Sequence, residues 1–233
     1  TWADYKVADI YAPTAQKIFW NHLYQGLYTK GVDSWWLDAT EPAYKDGLYP
    51  EKQTQWSKKA GKTFIGSAAR YLNTYSYVLT KMMYENLREQ SDNRASVLTR
   101  SAFAGQQRFG TSIWSGDIYA SWDVLKKQLV AGLNICMTGI PYWTTDIGGF
   151  RVRSRENSGE GTGEISTEIH RNISSCDGGY AKGLKDSAYL ELYTRWFQYG
   201  ALSPIFRAHG TEVPREIWHF GEPGSYFMTF KLR

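Results

Sequence analysis

Cysteine is scarce in this sequence. Cys136 and Cys176 are the only two among 233 residues, and they form no CxxC pair, which leaves no thiol redox motif. The four histidines, His22, His170, His209 and His219, have no metal-ligand spacing, so no metal site is expected. No stretch approaches the roughly 18 consecutive apolar residues that a membrane span requires. Basic residues are scattered: the net charge is only +4, and no cationic strip is present that would track phosphates, so a nucleic-acid partner is not expected. Gly159-Glu-Gly-Thr-Gly163 lacks the Lys-Ser/Thr ending and the preceding strand of a phosphate loop, and it reads as flexible loop. Cys136 lies in an apolar run with Leu133, Ile135 and Met137 and is expected to be a buried thiol. Asn172-Ile-Ser174 is a formal glycosylation sequon, relevant only to a secreted eukaryotic protein.

Aromatic residues, by contrast, are plentiful. They make up 16% of the chain, with 10 Trp and 17 Tyr. Aromatic rings stack on the apolar faces of sugars, and they also build large cores; composition leaves both uses open. The length suits one large domain or two small ones. Thr1 opens the chain, and Tyr226–Arg233 looks like the start of another element. Both ends are therefore expected to be cut from a longer protein.

Helix-like and strand-like segments alternate. Pro13 suits the first turn of a helix reaching about Lys30, with Ile18, Phe19, His22, Leu23 and Leu27 at helical spacing and Gly31 as its stop. Residues 32–38 form a buried strand, and 40–69 a loop. A helix is predicted over 73–89, with Val78, Met82 and Leu87 on its apolar side. Strands follow at 96–99 and 112–114, a helix over 122–133, a strand or strand end at 140–143, and a polar, Gly-rich loop over 148–180. A helix over 188–199 and a last strand at 203–206 complete the series. Alternation of this kind predicts parallel strands joined by crossover helices. An open sheet and a barrel both fit it. Asp38, Arg100, Asp117, Asp146 and His209 each follow a separate strand, and this favours a barrel, where such positions share the C-terminal mouth.

The sharpest segment is Gly31-Val-Asp-Ser-Trp-Trp-Leu-Asp38-Ala-Thr-Glu-Pro42. A carboxylate ending an aromatic strand is costly unless it is bonded or used; the bland alternative is a helix cap. Ile113-Trp-Ser-Gly-Asp117-Ile repeats the pattern with the same alternative. Two such carboxylates on one mouth form the pair that glycoside hydrolysis needs, one attacking the anomeric carbon and one protonating the leaving oxygen. Asp146, in Trp143-Thr-Thr-Asp146-Ile-Gly-Gly-Phe150, can accept bonds from sugar hydroxyls or bond within its own turn. Arg100 can bond a hydroxyl, restrain a carboxylate or form an internal salt bridge. His209 can donate to a hydroxyl or be structural.

Trp36-Leu-Asp38-Ala-Thr-Glu41, Thr99-Arg100-Ser101, Trp114-Ser-Gly-Asp117, Asp146-Ile-Gly-Gly-Phe150 and Phe206-Arg-Ala-His209 occur in this order. The series resembles the family 31 glycoside hydrolases: α-glucosidases, α-xylosidases and related transglycosylases. The resemblance covers nearly the whole chain. It implies an α/β fold, a (β/α)8 TIM barrel that is incomplete here, running from about helix 3 through strand 8, with residues 1–233 forming part of the catalytic domain of a longer multidomain glycosidase. It implies no cofactor, an oligosaccharide or polysaccharide-derived substrate, and retention of α configuration. Asp38 matches the nucleophile and Asp117 the acid/base. Arg100, Asp146 and His209 match residues that bond the sugar, Trp36, Trp114 and Phe150 resemble the pocket wall, and Glu41 completes the first motif on the substrate side. Many members carry Met-Asn where Ala39-Thr40 stands, a departure that leaves Asp38 and Glu41 in place. Tyr193–Gly200 and Arg215–Gly221 resemble bacterial α-xylosidases of xyloglucan breakdown, which places a periplasmic or extracellular setting ahead of a cytoplasmic one. Rival readings are a related α-transglycosylase, a non-catalytic carbohydrate-binding barrel, and a barrel enzyme on phosphorylated substrates. The last lacks a Gly-rich phosphate site after the final strands.

Overall fold

A computed structural model describes residues 7–41, 58–152 and 179–221, and the chain divides into two compact units, Thr1–Ile113 and Trp114–Arg233. In the first unit Pro13 starts helix α1 (Pro13–Gly26), where a missing N–H costs nothing. A 3-10 turn, Tyr28–Lys30, continues it, and Gly31 at φ 95° ends it by adopting the left-handed conformation that a side chain disfavours. The chain then enters strand β1 (Ser34–Leu37). Trp35 points inward and is 6% exposed, whereas Trp36, on the opposite face of the pleat, is 45% exposed.

The predicted loop before the next helix holds a short antiparallel hairpin, β2 (Lys62–Thr63) with β3 (Gly66–Ser67), and a single-turn helix α2 (Ala68–Tyr71). Helix α3 (Tyr75–Gln90) buries Leu79, Met82, Met83 and Leu87 on one stripe. Its return strand β4 (Ser96–Thr99) lies parallel to β1, with Trp36 opposite Leu98 and Leu37 opposite Thr99. Strand β5 (Thr111–Trp114) extends the parallel ladder, with Thr99 opposite Ile113. Trp20 of α1, Trp35, the α3 stripe and Val97 form one core. Burial of a side chain such as Met83, fully enclosed here, stabilises the unit by about 1.5–3 kcal/mol.

In the second unit Ser121 caps helix α4 (Trp122–Met137) by accepting a bond from the Val124 N–H at 3.1 Å. The helix runs four residues beyond its predicted end. Cys136 is therefore exposed, contrary to expectation: it shares the outward face with Leu133 and Met137, which are 72% and 87% exposed, while Leu125 and Gly132 face inward. The apolar run that suggested burial is the outer side of a helix. Strand β6 is short (Trp143–Thr144).

Helix α5 (Ser187–Ala201) is capped by Asp186, which accepts from the Ala188 N–H at 3.0 Å. Its inner stripe, Tyr189, Leu192, Tyr193, Trp196 and Phe197, forms the second core. Much of the aromatic content is thus structural, with the Tyr193 and Phe220 rings stacked 3.5 Å apart. The predicted strand at 203–206 is absent. Leu202 and Ser203 donate back to the Tyr199 and Gly200 carbonyls of α5, so the segment forms a turn. Two residues beyond it, Ala208 forms a parallel bridge with Ile147. No helix among the described residues is long and apolar enough to cross a membrane. Gly159–Gly163, His170, Asn172–Ser174 and Cys176 lie outside the described residues.

Candidate active site

The first unit brings Asp38, Glu41 and Arg100 together. Asp38 follows β1 directly, and Arg100 follows the neighbouring parallel strand β4, so the ladder register places the two segments side by side. The Arg100 guanidinium lies 3.3 Å from Asp38 Oδ1 and donates to Glu41 Oε1 through Nε and Nη2, each at 2.5 Å. Its side chain is 13% exposed and that of Asp38 is 60% exposed. The cation is therefore largely enclosed and the carboxylate open to a ligand. Charge-assisted bonds of this kind are shorter and stronger than neutral ones. Arg100 thus restrains both carboxylates, one of the roles open to it in the sequence. Glu41 is committed to Arg100.

The backbone after Asp38 is strained. Ala39 has φ 52°, a conformation that costs a residue with a side chain roughly 1–2 kcal/mol. Its N–H donates to Asp38 Oδ1 at 2.6 Å. A strained residue next to an exposed acid is a functional indicator, and it was invisible in the sequence. Trp36 lies on the more exposed face of the same strand.

The second unit holds Asp117, Asp146, His209, Trp114 and Phe150. Asp117 is exposed, three residues after β5, and Ser121 takes the capping role that was its bland alternative. Asp146 is fully buried and accepts a bond from Arg207 Nη1 at 2.6 Å. It thus pairs with a distant cation rather than with its own turn, and its Oδ2 has no hydrogen-bond partner among the described residues. Arg207 stands over the ring of the buried Trp114, 5.6 Å from its centroid. The sequence showed Arg207 inside the Phe206–His209 motif but gave no sign that it pairs with Asp146.

Helix α5 pins the segment around Asp146. Trp196 Nε1 donates to Thr145 Oγ1 at 2.8 Å, and the Tyr189 hydroxyl to the Gly148 carbonyl at 3.2 Å. Gly149 is obligatory here: its φ is +78°, and a Cβ would lie 2.5 Å from the Ala120 backbone nitrogen. The buried Arg215 donates to the Gly149 and Phe150 carbonyls at 2.8 and 3.0 Å, and to the Thr211 carbonyl. Phe150 in turn packs on His209, with ring centroids 5.5 Å apart.

Burial raises the Asp146 carboxyl from its ordinary value of 3.8 to about 6, against the opposing pull of Arg207 and with a smaller push from the charge on Asp117. Between about pH 4 and 6 the folded protein therefore holds a proton that the unfolded chain has released, and this group makes folding less favourable as pH rises through that interval. Asp146→Asn is expected to remove that component. Thermal melts of both proteins from pH 4 to 6 test it; identical slopes in the two would reject the shift.

Parallel strands joined by helices, with charged side chains gathered where the strands end, define an α/β domain of the kind that carries its site on strand-end loops. The chain belongs to the glycosyl hydrolases family 31, whose TIM-barrel domain profile matches residues 1–232. An α-xylosidase of Saccharolobus solfataricus is 38% identical over 208 residues, which cover 88% of this chain and 23% of that protein. A family 31 glucosidase of Pseudescherichia vulneris, ORF2, described as uncharacterized, is 31% identical over 203 residues, covering 87% of this chain and 31% of its own length. The crystal structure of a GH31 α-xylosidase from Xanthomonas citri superposes with a TM-score of 0.77 at 35% identity, over 97% of this chain and 22% of that one. The chain thus spans less than a third of the length of these relatives. Its fold is part of the family's (β/α)8 barrel.

Proposed function

We propose that this chain carries the catalytic centre of a retaining α-glycoside hydrolase, with α-xylosides as preferred substrates. The carrying observation is Asp38: an exposed carboxylate directly after a parallel strand in a family 31 barrel domain, held by a guanidinium that it shares with Glu41. Asp117 likewise follows a strand, and strand-end loops are where barrels of this type place their catalytic groups.

In this reading Asp117 gives its proton to the glycosidic oxygen as the bond from that oxygen to the anomeric carbon breaks. Asp38 attacks the carbon from the opposite face and forms a β-linked glycosyl ester. Asp117, now a carboxylate, takes a proton from water, whose oxygen attacks the same carbon and releases Asp38. Two inversions give net retention. His209 is read as a donor to the sugar, Trp36 and Phe150 as aromatic faces for it, and Asp146 as the carboxylate that holds Arg207 over Trp114. The preference for xylose is supported by the α-xylosidases of S. solfataricus and X. citri, at 38% and 35% identity.

Two measurements on the full-length protein test the proposal. A 2-deoxy-2-fluoro α-glycosyl fluoride or a related mechanism-based reagent is expected to label Asp38, read by peptide mass spectrometry. Paired aryl α-xyloside and α-glucoside substrates are expected to show higher kcat/KM for the xyloside. Labelling of another residue rejects the nucleophile, and the reverse substrate order rejects only the sugar preference.

A further inference from the structure

The turn that carries Arg100 is organised by a side chain that makes no bond to either carboxylate. Gln106 starts a 3-10 turn (Gln106–Phe109) and is fully buried. Its Oε1 accepts from the Phe103 backbone N–H and from the Ser76 hydroxyl of α3, each at 3.0 Å. Its Nε2 donates to Thr99 Oγ1 and to the Ser101 carbonyl, each at 3.3 Å. All four hydrogen-bonding positions of the amide are used, and this orientation gives the Phe103 N–H its acceptor. The Thr99 hydroxyl also donates to the Ser101 carbonyl at 3.0 Å.

Arg100 sits between Thr99 and Ser101, the two residues that Gln106 ties together. Ser101 also reaches the segment between Asp38 and Glu41. Its Oγ lies 2.9 Å from Thr40 Oγ1, and its N–H donates to the same oxygen at 3.2 Å. Thr40 is 1% exposed. The two segments are therefore linked twice, through the charges of Arg100 and through a buried chain of hydroxyl and amide groups leading back to α3.

We propose that Gln106 is a positioning residue for the reaction. It fixes the Thr99–Phe103 turn, which the Ser101–Thr40 bonds anchor, so that the Arg100 guanidinium meets Asp38 and Glu41. The inference rests on the reading of Asp38 as nucleophile. A fully satisfied buried network specifies one geometry, and a partly satisfied one loosens it.

The test is a double-mutant cycle in the full-length protein, with an aryl α-xyloside. Gln106→Glu keeps an acceptor for Phe103 and Ser76 but sets an oxygen against the Ser101 carbonyl. In the wild-type background kcat/KM is expected to fall by about 10- to 100-fold, mostly in kcat, as small displacements of catalytic groups do. In an Arg100→Ala background the further loss is expected to stay under about 3-fold, because nothing remains to be misplaced. Losses that multiply overturn the proposal, since a purely structural role acts alike in both backgrounds. Where Gln106→Glu does not fold, Thr40→Val runs the same cycle, and Thr40→Ser, which keeps the hydroxyl, is expected to retain activity. Multiplying losses for Thr40→Val, or inactivity of Thr40→Ser, also overturn it. Asp38→Ala runs in parallel: activity there rejects the nucleophile, whereas an inactive Asp38→Ala with multiplying losses rejects the positioning role alone.

Discussion

Asp38→Ala in the full-length protein is expected to lower kcat on an aryl α-xyloside by roughly 10⁴-fold or more, the scale seen when a catalytic nucleophile is removed. At 1.36 kcal/mol per factor of ten this is a loss of about 5 kcal/mol or more of transition-state stabilisation. The size follows from the route. Without the carboxylate no glycosyl ester can form, and water must attack the anomeric carbon from the vacated face with no group placed there to activate it. The side chain is open to solvent, and removing it opens no core cavity, so the loss belongs to chemistry and not to folding; an unchanged Tm checks this. The vacated β face also makes a stereochemical prediction. Azide is expected to enter where the carboxylate stood and give a β-glycosyl azide. Near-normal hydrolysis by Asp38→Ala would falsify the assignment, and Glu41, tied to Arg100 through two nitrogens, would be the next residue to examine.

The elements on which these acids stand were readable because they obey local rules. Pro13 and Gly31 bracket the first helix and its 3-10 extension, Met82 and Leu87 keep helical period, and Ser96–Thr99 is a short run whose ends coincide with those of the observed strand. What failed had non-local causes. The run Leu133–Met137 is apolar, yet burial depends on which way a helix faces, and this one turns those residues outward. Ser203–Phe206 reads as a strand, but the Ser203 N–H returns to the Gly200 carbonyl of α5 and Pro204 has no N–H to give a ladder. The site shows the same division. Acids at strand ends are visible as motifs, whereas their supports are not. Arg207 finds Asp146 across 61 residues of chain, and Gln106 finds Ser76 across 30. An isolated Gln or Arg carries no mark that it is buried, because both residue types are usually exposed.

Asp117→Ala is expected to separate substrates by leaving group. General acid catalysis contributes about 10²–10⁴-fold, and it matters most where the departing oxygen is a poor leaving group. Unactivated α-linked oligosaccharides should lose roughly that factor in kcat/KM. A dinitrophenyl α-glycoside, whose phenolate departs without help, should keep kcat/KM within about tenfold of wild type, since nucleophilic attack by Asp38 is untouched. Its second step has lost the base that deprotonates water, so the glycosyl-enzyme should accumulate and appear as a burst in product release. Azide needs no deprotonation and is expected to restore turnover. It enters from the face that water normally uses, and the product is then the α-glycosyl azide, opposite in configuration to the product of Asp38→Ala. Opposite anomers from the two variants assign the two carboxylates to opposite faces of one sugar ring. The same anomer from both, or equal losses on good and poor leaving groups, removes Asp117 from the acid/base role.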